Sequence, residues 1–338
     1  MKSHTQSREL AKTTILDRDN TNVEFEDRDP NFNPHKRTIK DNFIKYKTFY
    51  LMLLPAIVYF IIFSYWPMTG IIQAFRDFSF RSGMYGTGWV GFDYFIDFFT
   101  HRNAWIYIRN TVITSFIKLF IYLPFPIILA LMFNEVKNDR LRGIYQSISY
   151  LPYFISWVVV IGIYSRLFAP NTGMINELLA ALGITDGSTF WMMENSFFYP
   201  SIFTTYLWKN VGWDSIIYYA AIVGISPSLY EAASIDGAGW TKQIRHITLP
   251  GISGTIFILF LLSLGAILTS GFDQVYLMQT PGNFAVSETI DTYIVKTGLE
   301  QAQYGPATAI GLVQGLVGLV LTVFVNKLAD KFGNNALW

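Results

Sequence analysis

The 338-residue chain contains no cysteine, which excludes disulfides, thiolate metal sites and a cysteine nucleophile. Charge is scarce as well: Asp, Glu, Lys and Arg make up 14% of the residues, where an average soluble domain carries roughly 25%. That is too little to cover a water-facing surface. The net charge of +1 leaves no basic surplus for a nucleic-acid partner. His4, His35, His101 and His246 are scattered, without the i, i+4 pairing or acidic neighbours of a metal site. No G-x-x-x-x-G-K-[ST] occurs; "GAGWTK" at 237–242 has glycines and a lysine, but not the spacing that lets backbone N–H groups cradle phosphates. Any ATP-driven work must draw on other subunits.

What the chain does have is apolar length. Half of it (51%) is hydrophobic and 17% is aromatic. Six segments approach or exceed the roughly 20 residues a membrane helix needs: Phe49 to Trp66, Thr111 to Phe133, Ile144 to Phe168, Ser201 to Ile225, Ile252 to Val275 and Ala307 to Val325. The expected fold is an all-α membrane protein with six transmembrane helices. The first segment stands behind a polar, charged leader (1–44) without apolar period, so it does not read as a cleavable signal, and the leader reads as disordered or loosely attached. The aromatic run "FDYFIDFFTHRNAWIYIR" at 92–109 reads as an amphipathic helix lying in the membrane interface.

Orientation follows from Lys and Arg. One side collects Lys36, Arg37, Lys40, Lys45, Lys47, Lys137, Arg140, Arg142, Lys242, Arg245, Lys327 and Lys331; the longer opposite side carries mainly Arg76, Arg81, Arg102, Arg109, Arg166 and Lys296. The positive-inside rule then places both termini and the 226–251 stretch in the cytoplasm.

That stretch is too ordered for a plain connector. Ser226-Pro227 offers an N-cap with Pro at N1, and Ser228 to Glu231 offers a capping box instead, so a helix starts near 227 by one route or the other. Asp236-Gly237 marks a turn, because glycine takes positive φ without cost. A second helix is expected to run to Leu249 and stop at Pro250.

Glu231-Ala232-Ala233, three residues, Gly237, nine residues, then Ile247-Thr248-Leu249-Pro250 resembles the EAA signature of permease subunits of binding-protein-dependent ABC importers. Further stretches, among them "WVGFDYF", "LALMFNEVKNDRLRGIYQSISYLPYFISWVVV", "GWDSIIYYAAIVGISPSLYEAASIDGAGW", "GFDQVYLM" and the closing "ALW", resemble the LplB-like oligosaccharide and polysaccharide branch of the carbohydrate-uptake permeases, from about residue 45 onward. The resemblance implies a type I ABC importer permease architecture at 45–338, with 226–251 as a coupling element seated in an ATPase. Carried over, Glu231 is a charged contact, Ala232 and Ala233 allow close approach, and Asp236-Gly237 sets the angle between the two helices. It further implies a second permease subunit, usually as a heterodimer, two ATP-binding subunits that hold ATP and Mg, an extracytoplasmic solute-binding protein, and no cofactor on this chain.

The transport path is sought among polar residues inside the spans, which are costly and therefore candidates for function. Tyr206, Lys209, Asn210 and Trp213 stand at i, i+3, i+4 and i+7 on one helical face, bordered by Asp214. The resemblance to maltose-type permeases marks this stripe, together with Ser263, as sugar-facing. Rings stack on sugar faces, while amides, hydroxyls and ammonium groups bind hydroxyls or a uronate. Lys209 alternatively snorkels to the interface with Asp214 as partner, although Asp214 lies roughly 140° away around the helix, which favours a partner elsewhere, either a protein carboxylate or a substrate carboxylate. Asp273 and Gln274 border the path or cap a helix. Lys118 stands isolated in the second span, where a carboxylate on another subunit could as easily meet it.

Two other classes of function compete. A stand-alone secondary transporter or channel would normally show inverted repeats, and none is visible. A membrane enzyme acting on lipid-linked sugars needs clustered acidic or histidine groups, and here they are dispersed.

Overall fold

The computed structural model describes residues 46–78, 83, 86, 88–264, 268, 269 and 271–331. The leader at 1–44, Arg81 and the closing Ala336-Leu337-Trp338 lie outside the described residues. The chain divides after Met68 into two compact units.

The first unit contributes α1, Lys47–Phe60, which passes into a π turn at Ile61–Tyr65. Its side chains are apolar all round, the pattern of a helix surrounded by lipid or protein.

In the second unit, a two-residue antiparallel ladder pairs β1, Arg76–Asp77, with β2, Gly88–Trp89, and Phe75 stacks on Trp89 at 5.7 Å. The aromatic run expected as one interfacial helix is divided. Helix α2 covers Asp93–Thr100, and α3 begins at Ala104 and runs to Glu135. Only the first half is a short amphipathic piece; Trp105 and Tyr107 already belong to the spanning helix. Phe98 on α2 is buried edge-on to Tyr293, at 5.0 Å.

Midway, α3 opens into a π turn at Ile117–Ile121, where Tyr122 N–H donates to Ile117 O rather than to the carbonyl four residues back. The cause lies just downstream. Pro124 brings no N–H and its ring would crowd the carbonyl of Phe120, so the wider turn absorbs the mismatch.

The third segment is not the single helix expected over Ile144 to Phe168. Helix α4, Asp139–Tyr150, tightens into a 3₁₀ turn at Leu151–Phe154, and α5, Trp157–Leu167, leaves at 97° to it. Locally, Pro152 starts the 3₁₀ turn, and the Ser156 hydroxyl caps α5 by accepting from Val159 N–H at 3.4 Å. After the short α6, Met174–Ala181, comes the central helix α7, Asn195–Val223, whose most extensive packing is on Pro124–Glu135 of α3.

Helix α8, Pro227–Ile235, bends 68° from α7. Helix α9 then runs unbroken through Trp240–Leu264, against the expectation that Pro250 ends it. A π turn at Ile244–Thr248 lets Leu249 N–H bond Ile244 O, so that Pro250 enters without breaking the helix. The fifth span is consequently displaced from Ile252–Val275 toward residue 240. Its far part is a separate helix, α10, Phe272–Met278, which starts at Gly271 with φ +77°, a left-handed residue through which a helix does not continue. Helices α11, Phe284–Ser287, and α12, Ile290–Val295, lead to α13, Tyr304–Lys331.

Among the described residues, four helices are long and apolar enough to cross a membrane, Lys47–Phe75, Ala104–Glu135, Trp240–Leu264 and Tyr304–Lys327, and up to six do so when each bent pair counts as one span. One buried cluster joins α5, α7 and α10 through Val160, Ile161, Phe198, Ile202, Val275 and Met278. Another joins α3, α7 and α9 through Ile127, Ala130, Tyr218, Ile222 and Ile252.

Candidate functional site

A cavity of 420 Å³ opens between α3, α7 and α9, within the size range of small-molecule sites. Its polar lining includes Lys118 and Tyr122 from α3, Tyr206 and Asp214 from α7, Ser263 from α9, and Thr269. The π turn of α3 carries Lys118, and Tyr122 stands at its end, so the helix irregularity and the cavity coincide. The buried Tyr122 hydroxyl donates to Asp214 Oδ2 at 2.6 Å. The rings of Tyr122 and Tyr206 meet edge to face at 4.8 Å, and the Lys118 ammonium lies 5.0 Å from the centre of the Tyr206 ring. Aromatic faces, a hydrogen-bonded carboxylate and an ammonium therefore share one chamber. Such a set can stack on a sugar ring and bond its hydroxyls and carboxyls.

Of the stripe drawn from the sequence, Tyr206 and Asp214 meet in this cavity together with Ser263, while the rest of the stripe does not. Lys209 is 7% exposed and turns toward the break between α4 and α5. There its ammonium donates to the carbonyls of Tyr153 at 2.6 Å and Ile155 at 2.5 Å, with the rings of Tyr153 and Trp157 at 5.3 and 5.5 Å. These carbonyls end the 3₁₀ turn, where a helix has no acceptor-satisfying N–H of its own and where the dipole favours a cation. The partner of Lys209 does lie outside its helix, but it is backbone and not a carboxylate. Trp213 stacks flat on Tyr153 at 4.4 Å, on the same side. Asn210 spends its amide on Tyr206 O of its own helix, at 2.9 Å. Buried Gln274 ties α10 to α7 by donating to Ile202 O at 2.9 Å and Thr205 Oγ1 at 2.7 Å, and Asp273 is exposed in the first turn of α10.

Sequence reasoning missed Lys118 and Tyr122 as members of the chamber. A signal existed for Lys118, a charged residue inside an apolar run six positions before a proline. For Tyr122 there was none.

A second constellation surrounds Glu231. Helix α8 starts at Pro227 in the N1 position; Ser226 makes no capping bond to the backbone and instead shares a hydroxyl contact with Ser228 at 2.8 Å, so the capping box of Ser228 and Glu231 does not form. The helix ends in a Schellman motif, with Gly237 N–H on Ser234 O at 3.1 Å and Ala238 N–H on Ala233 O at 2.8 Å. Gly237 sits at φ +72°, and a Cβ there would meet nothing within 4 Å, so glycine is required for conformation rather than for space. Gln243 of α9 clamps the pair, donating to Ser234 Oγ and Ala238 O at 3.0 Å each, and the Tyr230 hydroxyl meets Thr248 Oγ1 at 3.0 Å. The result is a rigid knob whose outer surface presents Glu231, Ala232 and Asp236, with Ala233 half-buried behind them. It also exposes apolar Leu229, Ile235 (87%) and Trp240. Among the described residues no three His, Cys, Asp or Glu side chains converge as a metal site.

The family described as binding-protein-dependent transport system inner membrane component matches residues 122–334. The chain is 39% identical over 295 residues to the polygalacturonan/rhamnogalacturonan transport system permease protein YteP of Bacillus subtilis (strain 168), covering 87% of this chain and 91% of that one. It is 39% identical over 292 residues to protein LplB of the same organism, covering 86% and 91%. In structure it is similar to a chain of the bacterial alginate ABC transporter in complex with alginate pentasaccharide-bound periplasmic protein, with TM-score 0.82, 36% identity, and 89% of this chain and 100% of that chain covered.

Proposed function

The chain belongs to the family of binding-protein-dependent transport system inner membrane components, and on that premise we propose that it is the permease subunit of an ATP-driven importer for oligosaccharides or polysaccharide fragments, working by alternating access. It is a transport subunit and not an enzyme, and it resides in the bacterial inner membrane. The substrate class is supported by the relatives, whose names give polygalacturonan/rhamnogalacturonan and alginate.

One observation carries the reading. Helix α9 is continuous from the knob, where Gln243 and Thr248 are locked to α8, to Ser263 on the cavity wall. A push on the knob reaches the chamber through one stiff element. The partners that would push are two ATP-binding subunits carrying ATP and Mg, which receive Glu231, Ala232, Ala233, Asp236 and Gly237; the exposed Leu229, Ile235 and Trp240 add apolar surface to that contact. A second permease completes the path, and an extracytoplasmic binding protein delivers the sugar. The lysine and arginine distribution supports cytoplasmic termini and a cytoplasmic knob.

The test uses the complete complex in proteoliposomes. Gly237→Val forces a β-branched residue into a left-handed conformation, at a cost of at least about 1–2 kcal/mol, and so reshapes the knob without touching the cavity. Uptake and substrate-stimulated ATP hydrolysis are expected to fall together while the chain stays in the membrane. Normal stimulated hydrolysis by this variant would remove the coupling assignment.

A further inference from the structure

Neither the helical stripe nor the maltose-type resemblance pointed to the cation that lies in the chamber. We propose, resting on the import function above, that Lys118 receives a carboxylate of an acidic oligosaccharide in transit and so gives the path its preference for uronate-bearing sugars.

The ammonium of Lys118 is the cationic group of the cavity lining among the described residues. Its site is shaped for it. A Cβ added at Gly271 would fall 2.6 Å from Lys118 Nζ, so the backbone is bare where the charge rests, and the left-handed φ of +77° at Gly271 keeps it so. The ammonium lies over the Tyr206 ring, 5.0 Å from its centre, and Tyr206 is itself braced by Tyr122 and Trp157, so the ring holds the charge at the chamber wall. Asp214, its Oδ2 held by the Tyr122 hydroxyl, lines the same chamber. That carboxylate accepts sugar hydroxyls and repels a uronate, which turns the substrate's own carboxylate toward Lys118. Asp291 attracts the ammonium from outside the cavity lining, so a substrate carboxylate adds to a charge that the protein already partly compensates. An ammonium inside an apolar span is expensive and marks a path by default. The α3 π turn places this one at the chamber wall.

The experiment compares two probes of equal chain length, a galacturonate pentasaccharide and its fully methyl-esterified form, which share one sugar backbone and carry free carboxylates or neutral methyl esters. Uptake is measured into proteoliposomes holding the complete complex at saturating binding protein. Loss of a charged hydrogen bond predicts that Lys118→Met lowers acid-sugar uptake about ten- to a hundredfold and changes ester uptake less than about threefold, while Lys118→Arg keeps acid-sugar uptake within about tenfold of the wild type. Should Lys118→Met not assemble, Lys118→Gln supplies the same contrast. Equal losses for the two sugars, or no loss, would overturn the role of Lys118 while leaving the import function standing. A wild-type complex that imports the ester as well as the acid would overturn it too, with no variant needed. A wild type that imports neither sugar would remove the proposed substrate class, and this inference with it.

Discussion

Two flanks of α7 lie within one turn of each other and do opposite things. Toward α3 and α9, Tyr206, Asp214 and Tyr218 line an open chamber. Toward the α4–α5 break, Lys209, Gly212 and Trp213 fill every contact: Lys209 caps two carbonyls, Trp213 stacks on Tyr153, and Gly212 lets the α4 backbone come close. Taking Tyr206 as zero and 100° per residue, Lys209 and Trp213 lie roughly 60° and 20° to one side, and Asp214 and Tyr218 roughly 80° and 120° to the other. The stripe that looked like one face is the seam between a chamber and a joint. Helical arithmetic finds which residues are neighbours, but the packing around the helix decides where a face ends.

The comparison breaks most violently at Gly212. A Cβ there would lie 1.9 Å from Ser149 O and 3.0 Å from Tyr150 N, and both are backbone atoms that cannot rotate away. Gly212→Val is therefore expected to lose folded complex from the membrane, an effect at or above the 1–3 kcal/mol typical of overpacking. Quantifying the chain that co-purifies with its partners checks this. Normal yields would mean that α4 and α7 are not in close contact and that the joint is loose.

Lys209 comes next. Lys209→Met keeps the apolar stem and strips the helix-end carbonyls of Tyr153 and Ile155 of a charged donor, each such bond being worth roughly 1.5–3 kcal/mol. The expected outcome is a lower unfolding temperature of the purified complex, and uptake of acidic and esterified sugars reduced by the same factor. Selective loss of the acidic sugar would return Lys209 to the path and erase the division between the flanks.

The sequence held the spans and the knob because both are written locally. A membrane demands apolar length, and a Schellman turn needs only Gly237 after a short helix. The breaks were not legible. Pro152 and Ser156 were present, but a 97° bend rests on a lysine 53 residues after Ser156 that caps the broken end, and no window over 144–168 contains it. Pro250 misled for a related reason: a proline stops a helix only if no π turn precedes it, and that turn is tied to Tyr230 through Thr248. In the chamber, Tyr206, Asp214 and Ser263 could be named because they stand on helices already suspected. Tyr122 could not, since its role is a hydrogen bond to Asp214, 92 residues away in the chain.

The smallest expected effect gives the sharpest test of the seam. Asn210 stands at roughly 40° on the same scale, between Tyr206 and Asp214, and reasoning from the helical face alone makes it a sugar contact whose loss lowers transport a few-fold. Its amide nitrogen is already bonded to Tyr206 O, four residues back on its own helix, and the residue is absent from the chamber lining. That carbonyl also serves the backbone ladder, so removing the amide leaves no buried group stranded. The cost belongs with surface substitutions, within about 0.5 kcal/mol. Asn210→Ala is therefore expected to import the acidic pentasaccharide at a rate within about twofold of the wild type across a full concentration series, because 0.5 kcal/mol corresponds to little more than a factor of two. A rise in KM of about fivefold or more, with unchanged unfolding temperature, would mean that the amide turns into the chamber during transport. Asn210 would then belong to the chamber wall, as its place between Tyr206 and Asp214 on the helix allows.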